Sequence, residues 1–170
     1  MIKLDISENQ VNIVYLALGS NLGNRIKNIE KAKLLLIKNN ISLISVSKYY
    51  ETASWPNPKN PKFINIVLKA KCLLNPNQLL NLCKSIEVKL GRKKTLKNSP
   101  RECDIDIIDF NSLILKGKLN LPHKRMHKRN FVLFPLFEIE KTWFHRLKKK
   151  NIKTLIFSLS NNDIRSIKQI

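Results

Sequence analysis

The chain has 170 residues, 43% of them hydrophobic, with 32 Lys and Arg against 12 Asp and Glu and a formal net charge of +20. That length and apolar share suit a single domain over residues 1–170, large enough to bury about two thirds of the surface its unfolded chain would expose. No apolar run approaches the roughly 20 residues of a membrane span, the first residues carry acids and lack a signal-peptide core, and Cys72, Cys83 and Cys103 lie outside metal-ligand spacings. A soluble cytoplasmic protein with reduced core cysteines, no zinc site and no membrane partner is expected.

In chain order, Val11 to Gly19 is an apolar run ended by Gly, Ser and Asn, which predicts a buried strand and a turn. A helix follows from near Asn24, with Ile29, Ala32, Leu35 and Leu36 as its apolar stripe and Asn39 and Asn40 as its breakers. Two extended stretches, Ile41 to Thr52 and Phe63 to Leu73, are expected to pair antiparallel across a loop holding Pro56, Pro58 and Pro61. Asn75 caps a second helix, Pro76 suits its first turn, Leu79, Leu82, Cys83, Ile86 and Leu90 recur at helical spacing, and Gly91 stops it. A basic loop, Arg92 to Arg101, leads into an acidic strand. The order β-α-β-β-α-β specifies an α+β, ferredoxin-like sandwich with helices on one sheet face and the other face open to ligands. From Asn111 onward an appendage of loop and short helices is expected, Asn130 to Glu138 and Ile152 to Leu159. Residues 1–10 form an N-terminal extension with no assigned role.

The charge attracts polyanions of any kind without choosing among them, and the excess of Lys over Arg reads as compositional bias. The acids are more telling, because Glu102, Asp104, Asp106 and Asp109, four of the 12, crowd into PRECDIDIIDF. Alternation turns Ile105 and Ile107 to one face and Asp104 and Asp106 to the other, where they repel unless a cation lies between them. Removing either acid is therefore expected to leave the stability of the ligand-free protein unchanged or raised. Asp109 shares the parity of Ile105 and Ile107 and is assigned to the strand end. In FINIVLKAKC the same rule sends Ile64, Ile66, Leu68 and Ala70 to the helices and leaves Phe63 and Asn65 on the open face. Phe63, Asn65, Asp104 and Asp106 are thus expected on one concave surface, where an aromatic beside an amide suits a flat heterocycle.

YLALGSNLGNR, YYETASWPNP followed by PKFINIVLK, IEVKLGR, PRECDIDIIDF and LPHKRMHKRNFVLFPLFEI, taken in this order, resemble the 6-hydroxymethyl-7,8-dihydropterin pyrophosphokinases of folate biosynthesis. The resemblance runs from about Ile13 to Glu138. It implies an enzyme that transfers the terminal pyrophosphate of ATP to the pterin hydroxymethyl oxygen and leaves AMP, with two Mg2+ ions held by Asp104 and Asp106. By the same resemblance Arg92, Lys94 and Arg101 serve the transferring phosphates, and Asp106 stands nearest the alcohol proton. Lys84, Glu87, Ile107, His123 and Arg129 join Arg92 and Arg101 at ATP, and Gly19, Thr52, Ala53, Trp55, Phe63, Asn65 and Phe131 surround the pterin. The Arg92 to Arg101 loop is expected to act as a lid; it is one residue shorter than in the best-known members, with Asn98 where tryptophan is usual and Lys94 where arginine is common. A monomer with small-molecule partners and no specific nucleic acid is implied. An RNA-recognition module is the alternative, since it shares the element order and exposes aromatics on its open sheet face. It fits less well, because KFINIVLKA lacks the expected glycines and Asp104 and Asp106 would repel phosphates.

Overall fold

A central strand, β1 (Asn12–Ser20), organises the molecule, and the computed structural model describes residues 10–93 and 98–170. Its β-branched and leucine-rich run pairs antiparallel on one side with β4 (Phe63–Cys72) and on the other with β5 (Asp104–Phe110). Beyond β4 lie β2 (Ser42–Val46) and β3 (Tyr50–Thr52), so the extended stretch predicted from Ile41 to Thr52 is two strands that both pair with β4.

Two helices cover one face. α1 (Arg25–Lys38) begins where the Asn24 side chain accepts a hydrogen bond from the Lys27 N–H, and α2 (Pro76–Lys89) begins with a capping box between Asn75 and Gln78. Val14, Leu16 and Leu18 of β1, Ile64, Ile66 and Leu68 of β4, and Ile105 and Ile107 of β5 pack there with Ile29, Ala32 and Leu36 of α1 and Leu79, Cys83 and Ile86 of α2. This is the expected ferredoxin-like layer. All three cysteines are free and buried, as small apolar residues.

The opposite face is only half open, which corrects the expectation that it is wholly free. α3 (Asn130–Ile139) carries NFVLFPLFEI, too apolar to stay in water, and lays Val132, Leu133 and Leu136 on Tyr15, Val67 and Ile108. α4 (Ile152–Phe157) adds Ile152 and Leu155 to this second core. The appendage also holds more than loop and helix. A hairpin of β6 (Phe144–His145) and β7 (Lys150–Asn151) precedes α4, and α5 (Asn161–Arg165) leads to β8 (Lys168–Gln169), which pairs with β3.

Asp109 departs from its predicted parity. The ladder between β1 and β5 shifts register between Tyr15 and Leu16, so Leu16 faces Ile107 while Tyr15 faces Asp109. The extra residue, Ile108, belongs to the second core, and Asp109 turns with it away from Ile105 and Ile107. There Asp109 is buried and accepts a hydrogen bond from the Trp143 indole at 3.2 Å, which pins the appendage to the sheet. No helix among the described residues is long and apolar enough to cross a membrane.

Candidate active site

Strand register assembles the site. Asp104 on β5, Gly19 on β1, Asn65 on β4 and Tyr50 on β3 are successive cross-strand partners, so one row of the sheet carries a carboxylate, a bare backbone position and an amide. Gly19 is required by what stands beside it. A Cβ there would lie 2.9 Å from Asn65 Oδ1 and 3.4 Å from a Phe63 ring carbon.

These residues floor a cavity of about 670 Å3. Gly19, Thr52, Ala53, Trp55, Phe63, Asn65 and Phe131 line it, with Arg101, Asp104, Asp106 and Arg129. Every residue expected around the pterin is therefore brought to one concave surface. Asn65 is buried and its amide donates to Thr52 Oγ1 at 3.1 Å, which fixes its orientation, whereas Trp55 is 71% exposed at the rim. Phe131 opens α3, the helix that closes the covered half of the sheet, so the second core also sets this wall.

The acidic pair has cationic partners within the chain. Asp104 meets Arg92 at 2.6 Å and Arg101 at 2.5 Å, and Asp106 meets Arg129 at 3.0 Å and His123 Nε2 at 3.7 Å. Burial works to raise the Asp104 carboxyl, but the Arg101 and Arg92 guanidinium groups outweigh it and hold Asp104 below the usual carboxylate range. Burial lowers His123 below its ordinary value; Asp106 opposes that shift, and Arg129 and Arg125 add to it. The repulsion expected between the acids is thus offset by arginines before any ligand arrives. Two of those guanidinium groups also lie against aromatic rings, Arg101 at 5.0 Å from the Phe63 centroid and Arg129 at 5.3 Å from Phe131.

Lys84, Glu87, Arg92, Ile107 and His123 lie outside the cavity wall, Arg92 and His123 reaching it only through their contacts with Asp104 and Asp106. Glu87, 2% exposed, accepts the Ile105 N–H at 2.7 Å and pairs with Arg92 at 2.8 Å and Lys84 at 3.0 Å, tying α2 to the strand that carries Asp104. Burial raises its carboxyl against the Ile105 N–H, Lys84 and Arg92. The Ile107 side chain belongs to the helix-side core. Lys94 and residues 95–97 of the expected lid fall outside the described residues. Asn98, Arg125, Lys128, Asn130, Asp163 and Ser166 also line the cavity. Sequence reading missed Asp163 and Ser166 because nothing in their spacing shows that Asn130 holds them, its amide donating to Asp163 O at 2.6 Å and Ser166 Oγ at 3.0 Å. Arg125 and Lys128 lie in LPHKRMHKRN, where their cationic spacing beside Arg129 is the available signal.

A ferredoxin-like sheet whose open half sets a carboxylate pair ringed by arginines beside an aromatic and amide slot defines an α+β protein built to hold an anionic group next to a flat ring. The family described as 7,8-dihydro-6-hydroxymethylpterin-pyrophosphokinase matches residues 15–141. A 2-amino-4-hydroxy-6-hydroxymethyldihydropteridine pyrophosphokinase of Aquifex aeolicus is 40% identical over 141 residues, covering 82% of this chain and 88% of that one. The enzyme of the same name from Bacillus subtilis is 41% identical over 130 residues, covering 75% and 78% of the two chains. This chain belongs to the 7,8-dihydro-6-hydroxymethylpterin-pyrophosphokinase family. A folic acid synthesis protein of Dictyostelium discoideum is 42% identical over 135 residues, but only 20% of its length is covered. The fold likeness extends to a Plasmodium falciparum HPPK-DHPS structure with pterin and p-hydroxybenzoate, at a TM-score of 0.74 and 17% identity over 99% of this chain and 49% of that one.

Proposed function

We propose that the cavity on the open half of the sheet is where the family's reaction takes place, with the terminal pyrophosphate of ATP passing to the hydroxymethyl oxygen of 6-hydroxymethyl-7,8-dihydropterin and AMP leaving. The observation that carries this reading is the row from Asp104 through Gly19 to Asn65, which sets a carboxylate paired with Arg101 in one cavity with an aromatic and amide slot. Phe63 and Phe131 hold the pterin ring, and Asn65 reads its edge. The backbone from Thr52 through Ala53 to Trp55 completes the slot. Arg92, Arg101 and Arg129, with His123, receive phosphate oxygens, which suit the bidentate geometry of guanidinium. Lys94 is assigned to the same phosphates by its place in the sequence. The nucleoside end is assigned to Lys84, Glu87 and the Ile107 backbone.

Asp104 and Asp106 are hard oxygen donors on one strand face, and no group of three or more His, Cys, Asp or Glu able to hold a metal occurs among the described residues. That donor set fits Mg2+, which binds through one or two carboxylates and fills its other positions with phosphate oxygens and water. Two such ions, when bound, neutralise charge around the transferred phosphates. The arginines now paired with the carboxylates exchange those partners for phosphate as the nucleotide enters. The slot holds the hydroxymethyl oxygen near the β-phosphorus, and its proton is assigned to Asp106 by the family resemblance.

The product tests the reading. With ATP, Mg2+ and 6-hydroxymethyl-7,8-dihydropterin, AMP is expected to form in step with the pterin consumed. ADP would mean attack at the γ-phosphorus and would refute pyrophosphate transfer.

A further inference from the structure

Asn21 lies near the cavity with every polar group of its side chain bonded, yet it does not line it. It is 2% exposed and directly follows β1. Its amide donates to Ser54 Oγ and to Pro61 O, both at 3.1 Å, and its Oδ1 accepts the Arg101 N–H at 2.8 Å. The Asn21 backbone N–H also donates to Arg101 O at 3.1 Å. Both amide protons and the carbonyl oxygen are therefore spent on two separate chain segments, far apart in sequence. One is the proline loop, whose Ala53 and Trp55 form the ring side of the cavity. The other is the entry to β5, where Arg101 reaches Asp104 and lies over Phe63.

We propose that Asn21 is a positioning residue that couples the two ends of the reaction, holding the ring-binding loop and the phosphate-binding Arg101 in one register. The proposal rests on the reading of the cavity given above. A carboxamide suits this place because it offers two donors and an acceptor on one rigid plane, which neither Asp, Ser nor Ala can reproduce. Losing it frees the loop and the arginine together. Ser54 carries only the loop half of the link, through its bond from Asn21 and its own bond to Pro61 O at 2.5 Å.

A matched control lies at the other end of β1. Asn12 is also 2% exposed, donates to Leu74 O at 3.1 Å and accepts from Asn111 at 2.6 Å, away from the cavity. Steady-state kinetics are measured with 6-hydroxymethyl-7,8-dihydropterin, ATP and Mg2+ on the unaltered protein and on Asn21→Ala, Ser54→Ala and Asn12→Ala, below every unfolding midpoint. Asn21→Ala is expected to raise the pterin KM and lower kcat together, reducing kcat/KM at least about tenfold relative to Asn12→Ala. Ser54→Ala is expected to raise the pterin KM about threefold or more with kcat unchanged, since the link between Asn21 and Arg101 stays intact. Asn12→Ala loses stability and keeps both parameters. Asn21→Ala kinetics within twofold of Asn12→Ala would overturn the coupling. Should Asn21→Ala fail to fold, an unchanged pterin KM in Ser54→Ala would overturn it equally. Absence of turnover in the unaltered protein would instead overturn the reading of the cavity, and the coupling with it.

Discussion

Asn65 and Val67 are neighbours on one face of β4, and they live in different proteins, so to speak. Val67 is fully buried beneath α3 with Tyr15 and Ile108, whereas Asn65 faces the cavity with Gly19 and Phe63. The same strands, with the same alternation, are apolar and covered at one end and polar and open at the other. The covered end is where appended helices contribute burial, and the open end is where the chain leaves polar groups whose partners are not other core residues. Covering half a sheet face lets a small protein keep a concave polar site without exposing the whole face to water.

The sharpest break in this comparison comes from Asp104→Ala. Turnover is expected to fall by at least about a hundredfold, the scale of removing one preorganised electrostatic contact. Ligand-free stability is also expected to fall, by about 1–3 kcal/mol, because Arg101 loses its carboxylate partner and Arg92 is left with Glu87 alone, Asp104 being only 20% exposed at its side chain. Chemical denaturation and an AMP assay read the two effects. An unchanged denaturation midpoint would restore the simpler picture of two acids that merely repel.

A smaller effect is expected from Gly19→Ala. The new Cβ, 2.9 Å from Asn65 Oδ1, displaces the amide while leaving the carboxylates in place. Pterin affinity should drop about tenfold, or 1.4 kcal/mol, with ATP affinity nearly unchanged. Equal losses for both ligands in a calorimetric titration would show that the row does not separate ring from phosphate.

Much of this arrangement was legible in the sequence, for identifiable reasons. Apolar periodicity marked β1, α1 and α2, and period-two parity put Phe63, Asn65, Asp104 and Asp106 on one face, because β4 and the start of β5 run as unbroken ladders. Parity failed at Asp109, where one inserted residue reverses every side chain after it. The arginine partners of the acids and the links made by Asn21 were not legible either. They join residues up to 80 positions apart, and a hydrogen bond of that span follows from the assembled fold, not from local pattern. Apolar α3 was recognised as a helix, but nothing local says that its partner is the sheet face expected to be free.

The covered end has its own, weakest signature. His145 is 2% exposed, and burial, with His127 and then Lys148 nearby, lowers it to about 4. A depressed histidine contributes stability that is fully present above its ordinary value of 6.5 and is lost as pH falls toward 4. The unfolding midpoint should decline through that window, and His145→Gln should flatten the decline. An identical pH profile in the variant would remove His145 from the account.

The contrast between the two ends is tested most directly on β4 itself. 6-Hydroxymethyl-7,8-dihydropterin is titrated into Asn65→Ala and Val67→Ala, each with Mg2+ and a nonhydrolysable ATP analogue, and the unfolding midpoint of each variant is measured. Asn65→Ala is expected to weaken pterin binding by about 1–3 kcal/mol, since ligand donors and acceptors lose their partner. Val67→Ala is expected to bind pterin as the unaltered protein does while losing about 2 kcal/mol of stability to the cavity it leaves. Pterin binding weakened equally by both substitutions, or by neither, would contradict the division of this sheet face into a structural half and a substrate half.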